Sequence, residues 1–280
     1  MSESILTTGG IGDVKRSTGG HFRRCFVPGT TILDEDTRVD HCGRYHQTMS
    51  LVTSFVRGFL LLFSLGLLTA LLETTCPDQV AQLRAKKGGQ ELYRTTIQMN
   101  LFNSLVIGPL TYVYVVERLC PTQPLTLGQQ VFGIVGVVIT QNFLFYVVHR
   151  AYHEVKGLYW IHSFHHRFNE IILPSSAMAV SVTEFVTAYM APIVIGCTLF
   201  SLDQTGVVIG AMVIGVSNVL IHTPFMVGVK TPWFLVTADD HFRHHRRLTT
   251  DYGAPLISFD RILGGVWNLI NSPQATTKTS

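Results

Sequence analysis

The sequence predicts an all-α integral membrane protein with four to five transmembrane helices and a helical cap rich in histidine. Three observations lead to this fold class. The 280 residues are 47% hydrophobic and only 14% charged, against roughly 25% charged in an ordinary soluble domain. The mean hydropathy is +0.31, and several long stretches carry no charge. Nine of the 12 histidines fall between His149 and His245.

The first 50 residues differ in composition from the rest of the chain. They contain two glycine pairs, several serines and threonines and charges of both signs, and no apolar run follows Met1. A secretory signal peptide needs an apolar run of about 7–15 residues. We therefore expect residues 1–50 to form a polar tail without a signal peptide, and residues 51–280 to form the membrane domain.

Five apolar stretches are long enough to cross a bilayer, whose hydrocarbon core takes about 20 helical residues. The first, Leu51 to Leu72, contains a single charge at Arg57, whose long side chain can reach the interface from near the helix start. The other four stretches contain no charged residue. They are Thr95 to Val116, Leu119 to His149, Phe185 to Leu202 and Gln204 to Val229.

Two turns pair four of these stretches into hairpins. Residues 120–124 separate one pair, and residues 201–205 separate the other. Both hairpins then return to one face, which carries 13 of the 21 Lys and Arg residues. The positive-inside rule predicts that this face is cytosolic. Six basic residues in the tail disfavour transfer of the tail across the membrane. The first apolar stretch is therefore interpreted either as a full span or as a re-entrant or interfacial segment.

Charge and cysteine content argue against two other kinds of protein. The net charge of +3 is too small for a nucleic-acid-binding surface, and no basic run reaches the length of a nucleic-acid-binding arm. We therefore expect no nucleic-acid partner. The five cysteines are odd in number and scattered, without a CxxC pair. This pattern argues against a disulfide framework and against a thiolate metal site.

The histidines follow helical spacing. His149 and His153 are four residues apart, two triplets repeat an i, i+3, i+4 pattern, and His222 stands alone. On a helix each set lies along one face, and neutral imidazole is a good ligand for Fe, Zn and Cu. Nine imidazoles exceed the roughly four to six ligands of one ion, so the sequence predicts a dimetal site in the cap, on the cytosolic face. The nine predicted ligands are His149, His153, His162, His165, His166, His222, His241, His244 and His245.

Other polar residues have weaker assignments. The remaining histidines, His21, His41 and His46, lie in the tail and are expected to be solvated. His222 is a single histidine at the end of a span. It therefore has a second interpretation, as an anchor at the membrane interface rather than a metal ligand. Five residues are candidates to orient imidazole rings by accepting their N–H groups, and the acids among them are equally well explained as solvated or helix-capping residues. These candidates are Asn218, Glu184, Asp239, Asp240 and Asp260.

The three histidine segments resemble the histidine boxes of the membrane fatty acid hydroxylase/sterol desaturase superfamily. They read HRAYH at 149–153, HSFHH at 162–166 and HFRHH at 241–245. The resemblance extends from about Gln141 to Gly265. The first box is HxxxH, which differs from the HxxxxH box of the acyl-CoA desaturases.

Further segments match this family or depart from it. Residues 251–253 read Asp-Tyr-Gly where the family has Asn-Tyr-Gly, and residues 259–261 read Phe-Asp-Arg where it has Trp-Asp-Arg. Asn142 stands where many members have Asp, and Ser181 to Glu184 stands where many have a His-Pro before a Glu. The histidine boxes are complete in spite of these differences.

The resemblance implies a non-haem di-iron oxidoreductase that uses O2 to hydroxylate or desaturate an unactivated C–H bond of a lipid, of sterol or fatty-acyl type, in lipid biosynthesis. It also implies an endoplasmic reticulum membrane protein whose active site faces the cytosol. The sequence contains no haem-binding HPGG segment and no flavin or nicotinamide fold. Electrons from NAD(P)H are therefore expected to arrive through a separate cytochrome b5 or reductase. Histidine spacing neither separates hydroxylation from desaturation nor names the lipid.

Two other functions also use histidines in membranes. A b-type cytochrome places two histidines per haem inside facing spans, whereas most of these histidines lie outside the apolar stretches in triplets. A non-enzymatic membrane metal-binding protein or carrier is expected to have ligands or carboxylates inside its spans as a path. Four of the five stretches have no charged residue. A visible spectrum, metal analysis and NADH-dependent O2 uptake distinguish the three functions.

Overall fold

The computed structural model of the protein describes the backbone of residues 35–121 and 125–271 and the side chains of residues 51–121 and 125–266. His21, the side chains of His41 and His46, and most of the turn at 120–124 lie outside these described residues. The chain divides into two compact units, residues 1–44 and residues 45–280. Of the first unit the structure describes the helical backbone of residues 35–44.

The regular structure is almost entirely helical, which confirms the predicted all-α fold class. Within the described ranges, the β pairing consists of an isolated antiparallel bridge between Leu235 and Ile257. The helices, in chain order, are α1 (Glu35–Glu73), α2 (Pro77–Ala85), α3 (Gly89–Phe102), α4 (Gly108–Arg118), α5 (Leu127–Glu154), α6 (Tyr159–His162), α7 (Val182–Glu184), α8 (Ala191–Leu199), α9 (Gln204–Ile221), α10 (Ala238–Arg247) and α11 (Phe259–Asn271).

Short π-helical and 3-10 segments connect several of these helices. The π-helical segment Asn103–Ile107 joins α3 to α4, and Phe185–Met190 joins α7 to α8, so each pair continues as one long helix. In the described part of the chain, three 3-10 turns lie between the longer helices. They are His165–Phe168, Pro174–Met178 and Pro224–Met226.

Among the residues that the structure describes, five helical segments are long and apolar enough to cross a membrane, as expected of a multi-pass membrane protein. Large apolar side chains point outward from them: Leu71 is 65% exposed, Phe132 is 69% exposed and Leu199 is 66% exposed. Such a surface suits lipid rather than water. The five segments are Leu51–Glu73, Gly89–Arg118, Leu127–Glu154, Val182–Leu199 and Gln204–Ile221.

The last span is shorter than the charge-free stretch that predicts it. Helix α9 ends at Ile221, eight residues before the end of that stretch at Val229. Thr223 has an extended backbone (φ −98°, ψ 118°) because it precedes Pro224, which disfavours helical geometry in the residue before it. The chain therefore leaves the membrane-spanning helix at His222 and enters the cap.

Glycines on α5 allow the hairpin of α8 and α9 to pack closely against this helix. A Cβ atom at Gly133 would lie 2.4 Å from the carbonyl oxygen of Ser201, and one at Gly136 would lie 2.4 Å from the Phe200 ring. Small residues let helix backbones approach each other in membranes. The close packing places the end of α5 near the end of α9.

The cap is built around these two helix ends. Helix α6 contacts α5 and α7, α10 contacts α9, and α11 contacts α5. Short loops and 3-10 turns connect these elements, so histidines that are distant in sequence can meet beside the end of α5.

Candidate metal centre

Four parts of the chain bring the nine predicted ligands together. His149 and His153 lie in the last turns of α5, and the second histidine box runs from α6 into the following 3-10 turn. The third box lies on α10, and His222 directly follows α9. Eight of the nine side chains are buried, and His153 is half-buried. The side chains that the sequence singles out therefore form one buried site.

The ring nitrogens in this site form two groups. Within each group, one nitrogen from every histidine lies within 4.8 Å of the others, which is close enough to hold a metal ion. The first group is His149, His153, His162, His166 and His244. The second group is His165, His222, His241 and His245.

The two groups are neighbours because successive residues are divided between them. His165 and His166 belong to different groups, and so do His244 and His245. Across the groups, the ring centroids of His166 and His245 are 4.7 Å apart. The second and third boxes each supply both groups, so these boxes link the two groups.

The Nε2 atoms approach one another closely within each group. Nε2 of His149 lies 2.9 Å from Nε2 of His162, and Nε2 of His222 lies 2.8 Å from that of His241. Two nitrogens bound at right angles to one ion, each about 2.0–2.1 Å from it, are about 3 Å apart. The observed distances therefore fit imidazoles that share a cation.

Backbone carbonyl groups fix the orientation of two rings in the first group. Nδ1–H of His149 donates to the carbonyl oxygen of Tyr252 at 2.8 Å. Nδ1–H of His244 donates to the carbonyl oxygen of Thr250, also at 2.8 Å. A proton on Nδ1 leaves the lone pair of Nε2 free, and this nitrogen faces the other histidines.

The loop that supplies these carbonyl groups is held from two sides. The carboxylate of Asp260 accepts hydrogen bonds from the backbone N–H groups of Tyr252 and Gly253. Oδ1 of Asn142, on α5, accepts the N–H groups of residues 256 and 257, both at 2.9 Å. The loop is thus fixed to α11 and to the helix that carries the first histidine box.

Glu184 directly contacts a predicted ligand. Its side chain is 1% exposed, and Oε1 accepts the Nδ1–H of His162. Ser181 caps α7 by accepting the N–H of Glu184 at 3.1 Å, which fixes the position of the carboxylate. A carboxylate partner orients a ligand imidazole and raises its basicity.

The three candidate aspartates have other partners. Asp239 accepts the N–H of Gly228 at 2.7 Å. Asp240 forms ion pairs with Arg243 and Arg261, and Asp260 holds the loop described above. In the described contacts these carboxylates pair with arginine or backbone N–H groups, and not with the imidazole N–H groups for which they are candidates.

Asn218 contacts His222 through its main chain. Nδ1–H of His222 donates to the carbonyl oxygen of Asn218 at 2.6 Å. The Asn218 side-chain amide instead donates to the carbonyl oxygen of Ala177 at 2.9 Å. The amide therefore ties α9 to the 3-10 turn Pro174–Met178, and orienting the ring does not depend on the side chain.

Burial keeps the histidines of the cap neutral. Desolvation lowers the pKa of His222 and of His244 to about 4. Desolvation also lowers the pKa of four other cap histidines well below their usual value. These four are His162, His165, His241 and His245. Neutral imidazole is the form that binds metals, so the site suits a metal at neutral pH.

Sequence reasoning missed three orienting groups. Two are the carbonyl groups of Thr250 and Tyr252, which any residue type can supply and which therefore leave no mark in the sequence. The third is Asn142, whose amide also donates to the carbonyl oxygen of Val138 at 2.8 Å. The sequence did contain a signal for Asn142, because it is a polar residue within a charge-free span. An Asp at this position would accept hydrogen bonds but could not make that donation.

Comparison with protein families agrees with the histidine pattern. Residues 134–265 match the family model for fatty acid hydroxylase. The matched segment, just under half of the chain, contains all nine histidines of the two groups. Comparison with curated proteins and with solved structures gives no match. Residues 134–265 are therefore similar to the fatty acid hydroxylase family, within the superfamily of membrane histidine-box oxygenases.

Proposed function

We propose that the protein is a membrane-bound non-haem di-iron oxidoreductase that uses O2 to hydroxylate or desaturate an unactivated C–H bond of a lipid. The observation that carries the proposal is the pair of buried histidine groups, with five and four members. The match of residues 134–265 to the fatty acid hydroxylase family supports the oxygenase part of the proposal. The lipid would be of sterol or fatty-acyl type, as the resemblance of the histidine boxes implies.

The donor set fits iron. Both groups consist of imidazoles alone, and imidazole nitrogen suits Fe as well as Zn and Cu. Iron supplies the redox chemistry of O2 activation that cleavage of an unactivated C–H bond requires, which side-chain acids and bases cannot supply. Of the three metals we propose iron because residues 134–265 match the model of an oxygenase family.

The residues of the chain have three tasks in this proposal. The nine imidazoles present neutral nitrogens, and burial excludes bulk water from them. Glu184 and the carbonyl group of Tyr252 hold two rings with Nε2 facing inward. The apolar surfaces of the spans admit a lipid from the membrane.

The location of the cap supports a membrane-surface reaction. The histidine groups lie where α5 and α9 end. Helix α1 also ends on this side, which is the face that carries 13 of the 21 Lys and Arg residues. We propose that this face is cytosolic, that the membrane is the endoplasmic reticulum, and that electrons from NAD(P)H arrive through cytochrome b5 or a reductase. The positive-inside rule and the resemblance of the boxes support this arrangement.

Purified protein in detergent tests the proposal through three measurements. Elemental analysis should give two iron atoms per chain, the visible spectrum should lack a Soret band, and O2 uptake should follow addition of NADH and a reductase system. A Soret band would instead establish a b-type cytochrome. Bound zinc without O2 uptake would establish a non-enzymatic metal-binding protein.

A further inference from the structure

One part of the cap lies beside α5 well before that helix ends. Oδ1 of Asn142 accepts the backbone N–H groups of residues 256 and 257, both at 2.9 Å. The ring of Phe259, at the start of α11, packs edge-on against the ring of Phe143, with the centroids 5.3 Å apart. Residues 256–259 therefore lie level with residues 142 and 143 of α5, on the membrane side of the first histidine box.

The length of α5 places this contact at the depth of the hydrocarbon core. Helix α5 contains 28 residues and is about 42 Å long at about 1.5 Å per residue, whereas the hydrocarbon core is about 30 Å thick. Phe143 comes 16 residues after Leu127, which is about 24 Å along the helix. A helix that enters the core near Leu127 is still inside it at Phe143 and leaves it near the first histidine box.

The segment around Trp233 runs beside the start of α11. The guanidinium of Arg261 donates to the carbonyl oxygens of Trp233 and Leu235, both at 3.0 Å. The N–H of Ser258 donates to the carbonyl oxygen of Phe234 at 2.8 Å. These bonds place residues 233–235 next to the part of the chain that lies level with the hydrocarbon core.

Four large apolar side chains in these two segments are exposed. They are contributed by the segment around Trp233 and by α11, and we call them the interfacial face. The face consists of Trp233 (65% exposed), Phe234 (42%), Leu263 (42%) and Val266 (47%). Apolar surface of this kind needs a partner other than water.

The lipid-facing surface of α5 continues into the interfacial face. Phe143 is itself 41% exposed on a membrane-spanning segment, and Phe259 packs against it at the start of the helix that carries Leu263 and Val266. The same lipid that contacts Phe143 therefore lies next to α11. This continuity favours the bilayer over a soluble protein as the partner of the face.

The residues before Trp233 have the composition of a membrane interface. Helix α9 ends at Ile221, and the chain that follows exposes Phe225 by 52% and Val227 by 46%. Lys230 is the single charged residue between positions 225 and 234. Trp residues are enriched at the level of the lipid headgroups, and a lysine there is attracted to anionic lipids.

The interfacial face is firmly connected to the metal centre. Arg261, on α11, forms an ion pair with Asp240, which lies on α10 one residue before His241. Asn142 holds the loop that follows α10 against the helix that carries the first histidine box. The depth of the face in the membrane therefore determines the depth of the histidine groups.

We propose that the interfacial face lies in the headgroup region of the bilayer that α5 spans, so that the cap is partly immersed in the membrane. The partner of this surface is the lipid of the leaflet into which α5 and α9 emerge. The histidine groups are then held at the edge of the hydrocarbon core. This inference depends on the packing of the cap and not on the metal or the proposed reaction.

Quenching of tryptophan fluorescence by brominated lipid tests the inference. The chain has three tryptophans, so Trp160→Phe with Trp267→Phe leaves Trp233 as the single emitter. The full-length variant is placed in nanodiscs of phosphatidylcholine, with or without bromine near the top of the acyl chains. We expect bromine to reduce the emission of Trp233 about twofold or more, because an interfacial side chain lies about 5–10 Å into the boundary between headgroups and acyl chains.

A tryptophan after α10 is the matched control. Thr249 is exposed and follows Arg246 and Arg247 at the end of that helix, and the carbonyl group of Thr250 contacts the metal centre at His244. Thr249→Trp, in a chain whose three native tryptophans are replaced by Phe, should keep its emission in the brominated nanodiscs.

Variants of α11 test whether the face acts as a unit. In the chain with Trp233 as the single tryptophan, Leu263→Ser with Val266→Ser should bring quenching toward the level of the Thr249→Trp control. Leu199→Ser changes a side chain that is 66% exposed at the end of α8, far along the chain from the face, and should leave quenching unchanged.

Equal emission of Trp233 in brominated and ordinary nanodiscs would overturn the inference. If Trp233 is then quenched by acrylamide as strongly as the Thr249→Trp control, the face is exposed to water. If it is quenched by neither agent, and the detergent-solubilised chain has the mass of a dimer that Leu263→Ser with Val266→Ser dissociates, the face binds a second copy. Each of these two results rejects the membrane as the partner.

Discussion

The Nε2 atoms of His222 and His241 lie 2.8 Å apart, although the two residues are 19 positions apart in the chain and lie on different elements. A histidine that anchors a helix at the membrane interface would face water or lipid headgroups. His222 is instead 1% exposed, and the carbonyl group of Asn218 holds its other ring nitrogen. This geometry favours a metal ligand over an anchor.

Substitution of His222 tests this distinction. His222→Ala and His222→Phe should both lose one of two irons per chain, together with product formation, because neither side chain offers a nitrogen to the second group. If His222 were only an anchor at the membrane interface, His222→Phe should retain iron content and activity. An active His222→Phe protein with the iron content of the wild type would remove this residue from the site.

Glu184 should act as a positioning residue for His162. Glu184→Leu removes the acceptor of the ring N–H, and loss of such a partner typically costs about 10–100-fold in metal affinity. Glu184→Gln keeps an acceptor oxygen and should lose less. Competition with an iron chelator measures the affinity of each purified variant.

Asp239→Asn is the matched control for Glu184, because the Asp239 carboxylate contacts the N–H of Gly228 and no imidazole among the described contacts. Its iron affinity should equal that of the wild type. Equal affinities for Glu184→Leu and the wild type would refute the positioning role.

Two glycines on α5 offer a paired test of helix packing. Gly133→Ala should destabilise the protein by about 1–3 kcal/mol, the usual cost of overpacking, because its Cβ would lie 2.4 Å from the Ser201 carbonyl oxygen. Gly128→Ala should be neutral or slightly stabilising, since its Cβ would meet no atom within 4 Å. Thermal unfolding in detergent measures both variants, and equal melting temperatures would contradict the packing described.

Membrane topology is tested with tags. A tag inserted after Lys87 and a tag at Ser280 should both be accessible from the cytosol, because both lie on the basic face to which the two hairpins return. Accessibility from the lumen at either position would reject the hairpin arrangement. A third tag, at the N-terminus, distinguishes a spanning first helix from a re-entrant one.

The sequence predicted the fold class because hydrophobicity and charge determine which segments enter a membrane. It could not predict where α9 ends from hydrophobicity alone, since residues 222–229 are as free of charge as the helix before them. The end follows from the Thr223–Pro224 pair and the cap that packs beside it.

The histidine spacing predicted which side chains lie close together, but not how they are distributed between the two groups. Helical spacing places His241, His244 and His245 on one face, whereas the structure directs His244 to the first group and the other two to the second. The division depends on where α5 and α9 end relative to α10. The carbonyl groups that orient the rings come from the backbone, so residue identity contains no signal for them.

Iron content of two adjacent single variants tests the division of the site most directly. His165 and His166 are neighbours in sequence, yet they belong to different groups. Elemental analysis should give two irons per chain for the wild type and for the tail variants His41→Ala and His46→Ala, and one for His165→Ala and for His166→Ala, neither of which should turn over substrate. Two irons and more than about half of wild-type activity in both box variants would contradict the dimetal assignment, because loss of a ligand should leave its site incomplete.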